Sequence, residues 1–135
     1  MKIREYKKED REKVKKLVKE VLTEIFNSAS NLEDLNNIKK EYEKFFVVEE
    51  NGKIIGTLGI KNEGDARISR MYVKKEKREK GIGKKLMEKA IKYCKKNFKR
   101  IFLTTYAQMD SKRFYEKIGF REYKRDGRIW MELIL

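Results

Sequence analysis

Apolar residues near the start of the chain recur at helical spacing. Between Val14 and Phe26 they lie three or four positions apart. This spacing builds one apolar stripe along a helix, which Asp10 is placed to open or cap. A polar Asn-Ser-Ala-Ser-Asn segment then interrupts the pattern, and apolar positions from Leu32 to Tyr42 predict a second helix.

Runs rich in β-branched and aromatic residues predict strands where turn residues flank them. Asn51-Gly52 and Asp126-Gly127 each separate two such runs, which is the usual sequence signal of a β-hairpin. The predicted strands cover residues 3–6, 45–50, 53–60, 68–73, 101–105, 120–123 and 128–135. A helix over residues 82–97 is predicted after Gly81, and a short one from Asp110-Ser111 to Lys117.

The predicted element order is β-α-α-β-β-β-α-β-α-β-β. It indicates an α/β (α+β) fold with a mixed sheet covered by helices. The chain has 135 residues and contains neither proline nor a linker-like segment. We therefore expect one domain over residues 1–135.

The composition of the chain bears on its net charge and on the cellular compartment in which we expect it. The chain has 36 Lys and Arg against 22 Asp and Glu, a formal net charge of +14. A polyanionic partner such as nucleic acid would suit that charge, but the basic residues are interspersed with acidic ones, which favours an ordinary Lys/Glu-rich surface. With one cysteine, no apolar run long enough to cross a bilayer and no apolar leader after Met1, we expect a cytoplasmic protein without membrane contact.

The absence of histidine narrows the candidate chemistry. It removes Ser-His and Cys-His nucleophile pairs and most catalytic zinc sites. Cys94 lies on the apolar stripe of its predicted helix, where we expect it to pack in the core. Carboxylates, Tyr, Lys, backbone dipoles or a cofactor remain, and we expect no metal.

A glycine-containing loop between a strand and a helix is a candidate phosphate site. In the pattern R-x-x-G-x-G, formed by Arg78, Gly81 and Gly83, free amides at the helix start can bind an anion. A dinucleotide fingerprint would need a third glycine where Leu86 stands, and a P-loop would need Ser or Thr where Lys85 stands. The loop therefore suits a diphosphate.

The loop, the preceding strand R-M-Y-V and a later F-Y-E-K-I-G-F segment together resemble the GNAT superfamily of N-acetyltransferases. The resemblance extends over nearly the whole chain. It implies a largely antiparallel mixed sheet of six to seven strands, about four helices, and a V-shaped opening between strands that end near Val73 and Thr105. It also implies transfer of an acetyl group from acetyl-CoA to an amine. An acyl-cysteine route through Cys94 would need an activating partner, and none is visible, so we expect direct attack in a ternary complex.

The same resemblance implies roles for particular residues. By similarity, Tyr115 is the general acid beside the departing sulfur, and Gln108 can hydrogen-bond the cofactor. Backbone groups hold the rest of acetyl-CoA, at Met71, Tyr72 and Val73 for the thioester end and at Arg78, Glu79, Lys80, Gly81, Ile82, Gly83 and Lys84 for the diphosphate.

Three departures from the family pattern bear on these roles. Glu79 stands where many members have glycine, which we discount because only the backbone amide is needed there. Gln108 and Ser111 stand where members often have Asn and Ala, and Gln108 could still hydrogen-bond the cofactor with a changed reach. Arg67 stands where a carboxylate is common, so no general base is assigned. The carboxylates considered for that role are Glu49, Glu50, Glu63 and Asp65. A non-catalytic acetyl-CoA-binding regulatory domain and a basic nucleic-acid-binding protein are the alternatives, while the identity of the amine acceptor and a homodimer both stay open.

Overall fold

A computed structural model describes residues 1–135. The chain forms seven strands and four α-helices, together with short 3-10 turns. In chain order the elements are β1 (Lys2–Glu5), α1 (Arg11–Phe26), α2 (Ile38–Glu41), β2 (Lys44–Glu50), β3 (Lys53–Glu63), β4 (Asp65–Val73), α3 (Ile82–Asn97), β5 (Arg100–Thr105), α4 (Lys112–Ile118), β6 (Arg121–Arg125) and β7 (Ile129–Ile134).

All seven strands belong to one sheet with the order β1-β2-β3-β4-β5-β7-β6. Neighbours are antiparallel except β4 and β5, which run parallel because α3 connects them as a crossover. Successive residues of a strand face opposite sides of a sheet. Accordingly, Phe45 and Val47 pack in the core under α1, whereas Phe46 and Val48 pack in the core under α3. This mixed, largely antiparallel sheet confirms the predicted fold class.

The parallel pair β4/β5 separates soon after it forms. Only Ala66 with Ile101 and Arg67 with Phe102 are paired, although both strands continue well beyond these positions. The later part of β4 therefore has a free edge on the side of β5. This separation is the V-shaped opening that the family resemblance implies.

A bulge in β4 changes which side chains face each side of the sheet. Arg70 has a left-handed backbone (φ 54°), and the register against β3 shifts at the same place. The hydroxyl of Thr57 donates a hydrogen bond to the carbonyl oxygen of Arg70 at 2.8 Å. As a result Met71 packs against the α3 core, while Tyr72 packs against the α1 core.

Most predicted elements are observed within a few residues, but the second helix is wrong in extent. The expected helix from Leu32 to Tyr42 is a 3-10 turn at Glu33–Asn36 followed by the single turn of α2. The apolar residues Leu35 and Ile38 are still buried, as their pattern indicates. The segment therefore contributes core residues without the regular helix that the spacing predicts.

The two predicted helix caps have other partners. Asp10 stands before α1, but its carboxylate accepts hydrogen bonds from the amide of Lys7 and the guanidinium of Arg4. Ser111 stands before α4, and its hydroxyl is 2.7 Å from that of Thr105. Both residues mark helix starts, and both anchor the helix to a neighbouring segment instead of capping it.

Candidate active site

Two cavities meet where β4 separates from β5. The first, which we call the α3 cleft, has a volume of about 850 Å³ and lies between the end of β4, the loop before α3, and α4. The second, the α1 cavity, has a volume of about 790 Å³ and is lined by the end of α1, the segment that follows it, and β4 and β5. The residues that line both are Met71, Tyr72, Met109 and Tyr115. Groups bound in the two cavities would meet beside these four side chains.

The loop before α3 carries a run of free backbone amides. The amide of Arg78 donates to the carbonyl of Lys75 at 3.3 Å, and the amide of Lys85 donates to Gly81 at 3.1 Å. Between them, the six consecutive N–H groups of residues 79–84 have no partner within the chain. They lie at the N-terminus of a 16-residue helix, whose dipole adds partial positive charge. This arrangement can bind an anionic group.

Two residues of this loop have left-handed backbone. Gly81 has φ 82° and a Cβ added there would meet nothing within 4 Å, so its requirement is conformational and not steric. Glu79 has φ 62°, a conformation that costs a residue with a Cβ about 1–2 kcal/mol. The left-handed backbone explains why glycine is common at this position in the family. Sequence analysis discounted the difference between glycine and Glu79 because it considered only the amide.

Arg78 connects the loop to two other elements. Its guanidinium forms a two-pronged ion pair with Glu24 of α1, at 2.7 and 2.8 Å, and its Nε donates to the carbonyl of Val73 at 2.8 Å. The hydrogen bonds from Arg78 hold the pKa of Glu24 below its ordinary value. The side chain of Arg78 therefore fixes the loop against β4 and α1.

The free edge of β4 offers polar backbone groups to the α3 cleft. Lys74 donates its amide to Ile55 of β3 at 2.8 Å. Because peptide groups alternate along a strand, the N–H of Val73 points away from β3. An extended ligand in the cleft can pair with this edge as an additional strand would.

Close packing of α3 against α4 narrows the cleft beside Gly83. A Cβ at this position would lie 3.2 Å from Phe114 and 3.5 Å from Met71. Phe114 in turn contacts the ring of Tyr115 edge-on, with centroids 5.2 Å apart. Because Gly83 has no side chain, the ring of Phe114 can pack against the start of α3 and contact Tyr115, which lines both cavities.

Tyr115 of α4 lies at the junction of the two cavities. Its side chain is buried (8% exposed), and burial, with a smaller contribution from the nearby Tyr72, raises the pKa of its phenol above the ordinary value. The phenol therefore stays protonated at neutral pH. It can donate a proton or a hydrogen bond, and it is unsuited to act as a base.

The structure brings most of the predicted cofactor-binding residues together. Those that line the α3 cleft are Met71, Tyr72, Val73, Arg78, Glu79, Gly81, Ile82, Gly83 and Lys84. Lys80 is exposed and its side chain does not line the cleft, although its amide is one of the six free ones. Gln108 lines the α1 cavity instead of the α3 cleft.

The carboxylates considered as general bases are separated by the fold. Glu63 lines the α1 cavity and is 3.8 Å from Arg67. The other three form ion pairs away from that cavity, Glu49 with Arg4, Glu50 with Lys77 and Asp65 with Arg100. The cavity therefore retains one of the four candidates.

Sequence reasoning missed a partly buried ion pair in the wall of the α1 cavity. Arg70 donates to Asp34 at 2.7 and 3.0 Å and to the carbonyl of Asn31 at 2.6 Å, and Tyr42 donates its hydroxyl to the same carboxylate. Burial acts to raise the pKa of Asp34, but the hydrogen bonds from Arg70 and Tyr42 outweigh it and keep that pKa low. No local signal identifies partners 36 positions apart in sequence.

Aromatic residues also approach each other at the opening of the α1 cavity. Phe26 at the end of α1 and Tyr106 after β5 meet edge-on, with centroids 5.7 Å apart. Both line the cavity, and 36% of Tyr106 is exposed. Only the fold brings these two chain segments together.

Three further properties bear on the chemistry. Cys94 is fully buried, and burial raises the pKa of its thiol to about 12, so it cannot act as a thiolate at neutral pH. No group of three or more Cys, Asp or Glu side chains is arranged to hold a metal ion. None of the helices has the length and apolar character needed to cross a membrane.

Comparisons with known proteins agree with this architecture. Residues 5–128 match the family model for the acetyltransferase (GNAT) domain. An uncharacterized N-acetyltransferase of Methanocaldococcus jannaschii is 32% identical over 108 residues, which cover 72% of this chain. The match spans 47% of that relative, so the chain corresponds to about half of its length.

Two solved structures share the fold over nearly their whole lengths. An acetyltransferase of the GNAT family from Staphylococcus aureus has a TM-score of 0.90 at 26% identity, with 99% of this chain and 98% of that one covered. The PaiA N-acetyltransferase from Thermoplasma acidophilum, solved in complex with coenzyme A, has a TM-score of 0.80 at 24% identity and the same coverage. Because the family model matches most of the chain, the chain belongs to the GNAT family of acetyltransferases, which confirms the family that its sequence resembles.

Proposed function

We propose that residues 1–135 form one GNAT domain that transfers an acetyl group from acetyl-CoA to an amine by direct attack in a ternary complex. The observation that carries this proposal is the run of six free amides over residues 79–84, in a cleft that opens at Tyr115 into a second cavity. A thioester carrier in one cavity and an amine in the other would meet at this junction.

The donor set of the α3 cleft fits the anionic part of coenzyme A. Six amides at a helix N-terminus suit a diphosphate, and Lys84 adds positive charge beside them. The free edge of β4 at Met71–Val73 suits the amide-containing pantetheine arm. When bound, acetyl-CoA supplies an activated acetyl group. The edge amide of Val73 offers hydrogen-bonding capacity for the carbonyl oxygen.

Tyr115 fits the role of proton donor to the departing thiolate. A thiol has an ordinary pKa of about 8.5, so the thiolate is a fairly good leaving group and protonation helps without being indispensable. An amine near pKa ~10.4 must also lose a proton, at a cost of about 4.6 kcal/mol at pH 7. Glu63 is the carboxylate from the considered set that lines the amine side, but it lies beside Arg67 and not among the residues of the junction, so no base is assigned there.

The central experiment combines calorimetry with a thiol-release assay. We expect the purified chain to bind acetyl-CoA and to release CoA when a suitable amine is added. Tyr115→Phe should lower kcat about 10- to 100-fold, at the low end for general acids, and leave the acetyl-CoA Kd within about twofold.

The outcomes separate the competing functions. Equal kcat for wild type and Tyr115→Phe would remove this residue from the mechanism. Binding of acetyl-CoA without thiol release over a broad amine panel would indicate a regulatory binding domain. Absence of acetyl-CoA binding would refute the proposed function itself.

A further inference from the structure

Three arginines on and after β4 differ in how their donors are used. Arg70 directs its donors to Asp34 and Asn31, and Arg78 directs its donors to Glu24 and Val73. Arg67 donates one long hydrogen bond within the chain, to the hydroxyl of Thr104 at 3.4 Å. Of the three, Arg67 alone faces a cavity with most of its hydrogen-bonding capacity unused.

The surroundings of Arg67 hold its guanidinium in place, and its one carboxylate contact, with Glu63, is long. The group lies over the rings of Phe102 and Trp130, at 5.5 and 5.6 Å from their centroids. Its side chain is 26% exposed, and the nearest carboxylate oxygen, from Glu63, is 3.8 Å away. A guanidinium has five N–H donors, so most of them point into the α1 cavity or to solvent. The rings stabilise the cation and leave these donors free.

A second cation lies directly beside it. Lys61 of β3 is the cross-strand partner of Arg67, and both line the α1 cavity. The ammonium of Lys61 lies 5.2 Å from the ring centroid of Tyr42 and forms no ion pair. Like charges directly opposite each other across two strands are unfavourable. A bound anion would relieve that repulsion.

We propose that the amine acceptor carries a carboxylate, which Arg67 and Lys61 bind in the α1 cavity. The inference rests on the proposed function and adds the class of acceptor. A planar guanidinium matches a carboxylate with two parallel hydrogen bonds, and the neighbouring ammonium adds charge. Arg67 then has a binding role at the position where a carboxylate is common in the family.

The position of Arg67 also sets the spacing between the two ends of the acceptor. Met71, at the junction where the thioester would lie, is four residues further along β4. At about 3.3 Å per residue, shortened by the bulge, the two Cα atoms are roughly 10–13 Å apart. The side chain of Arg67 reaches as far as Thr104 and covers part of this distance. The remaining separation favours an acceptor with several bonds between its reactive amine and its carboxylate over an α-amino acid, whose two groups are attached to one carbon.

Matched amines test the charge requirement. We would compare 6-aminohexanoate with its neutral amide, 6-aminohexanamide, because both share the same amine and chain length. In the wild-type protein we expect kcat/KM to be about 10- to 100-fold higher for 6-aminohexanoate, the range for a charge-assisted hydrogen bond. Glycine, with the short spacing, should be a poorer acceptor than 6-aminohexanoate.

Single substitutions test which residues cause the preference for 6-aminohexanoate. Arg67→Gln should reduce the preference for 6-aminohexanoate to about twofold or less, and Lys61→Gln should reduce it by a smaller factor. Arg128→Gln is the matched control, because Arg128 also lies over the Trp130 ring, at 4.7 Å, but does not line the cavity. For Arg128→Gln, the kcat/KM preference for 6-aminohexanoate over 6-aminohexanamide should equal that of the wild-type protein.

The results separate this inference from the proposed function. A kcat/KM ratio near one between 6-aminohexanoate and its amide in the wild-type protein would overturn the inference. A ratio in Arg67→Gln as high as in the wild-type protein would overturn it too. If no amine is turned over, calorimetry with 6-aminohexanoate and the CoA-loaded protein decides, since absence of binding also overturns it. Failure of acetyl-CoA itself to bind is a different result, which refutes the proposed function.

Discussion

Replacing Gly81 with alanine probes the loop whose amides support the proposed function. Gly81 has φ 82°, and an added Cβ meets no atom within 4 Å. Alanine in the left-handed region costs about 1–2 kcal/mol, while the stiffer unfolded chain returns about 0.4–1 kcal/mol. The free energy of unfolding should therefore fall by about 0.5–1.5 kcal/mol, which lowers Tm by roughly 2–6 °C.

The same substitution should weaken acetyl-CoA binding. The strain at Gly81→Ala favours rotation of the loop backbone away from its present conformation. Loss of one well-aligned hydrogen bond to a charged group corresponds to about a tenfold rise in Kd. Urea unfolding and calorimetry with acetyl-CoA measure the two effects separately.

Gly127→Ala provides a matched control elsewhere in the chain. Gly127 has φ 89°, also with no atom within 4 Å of an added Cβ, and lies in the turn between β6 and β7, away from the α3 cleft. It should show the same loss of stability with an unchanged acetyl-CoA Kd. Equal Kd values for Gly81→Ala, Gly127→Ala and wild type would refute the assigned role of the loop amides. Unchanged stability in Gly81→Ala would refute the backbone argument.

Two further predictions concern ion pairs. Because the pKa of Glu24 is lowered by Arg78, its contribution to stability is present above the unfolded pKa of about 4.3 and is lost as pH falls through the folded value. Urea unfolding should thus show a deficit of up to about 1 kcal/mol for Glu24→Gln at pH 7 that disappears in acid, and a pH-independent deficit would contradict this. Arg70→Ala should cost roughly 3 kcal/mol because it leaves the carboxylate of Asp34, 15% exposed, without its partner. Adding Asp34→Asn should recover part of that loss, and a double variant less stable than Arg70→Ala would argue against an uncompensated charge as the cause.

Local patterns were sufficient for much of the fold. The apolar spacing of α1 buries Val14, Leu17 and Val18 as predicted, because a helix repeats every 3.6 residues wherever it packs. The Asn51-Gly52 hairpin forms as predicted, since turn chemistry depends on a few adjacent residues. The second helix failed because burial of Leu35 and Ile38 does not require regular helical geometry between them.

Part of the candidate site could likewise be predicted from local sequence, and part depended on tertiary contacts. Gly81 and the amides around it could be recognised in the sequence, because a helix start leaves its first N–H groups free whatever the rest of the chain does. Sequence reasoning left Glu49, Glu50, Glu63 and Asp65 equivalent as bases. Tertiary ion pairs distinguish Glu49, Glu50 and Asp65 from Glu63, since each of those three is paired with a residue that only the folded chain brings near it.

By itself, then, the sequence determined most of the elements, the family and the place of the loop with free amides, all of which depend on neighbouring residues. The tertiary structure alone decided where β4 leaves β5, that the bulge at Arg70 turns that side chain toward Asp34, and that Arg67 and Lys61 lie side by side in the α1 cavity. Strand register and side-chain partners depend on contacts between distant segments. Local propensity carries no information about which of those contacts form.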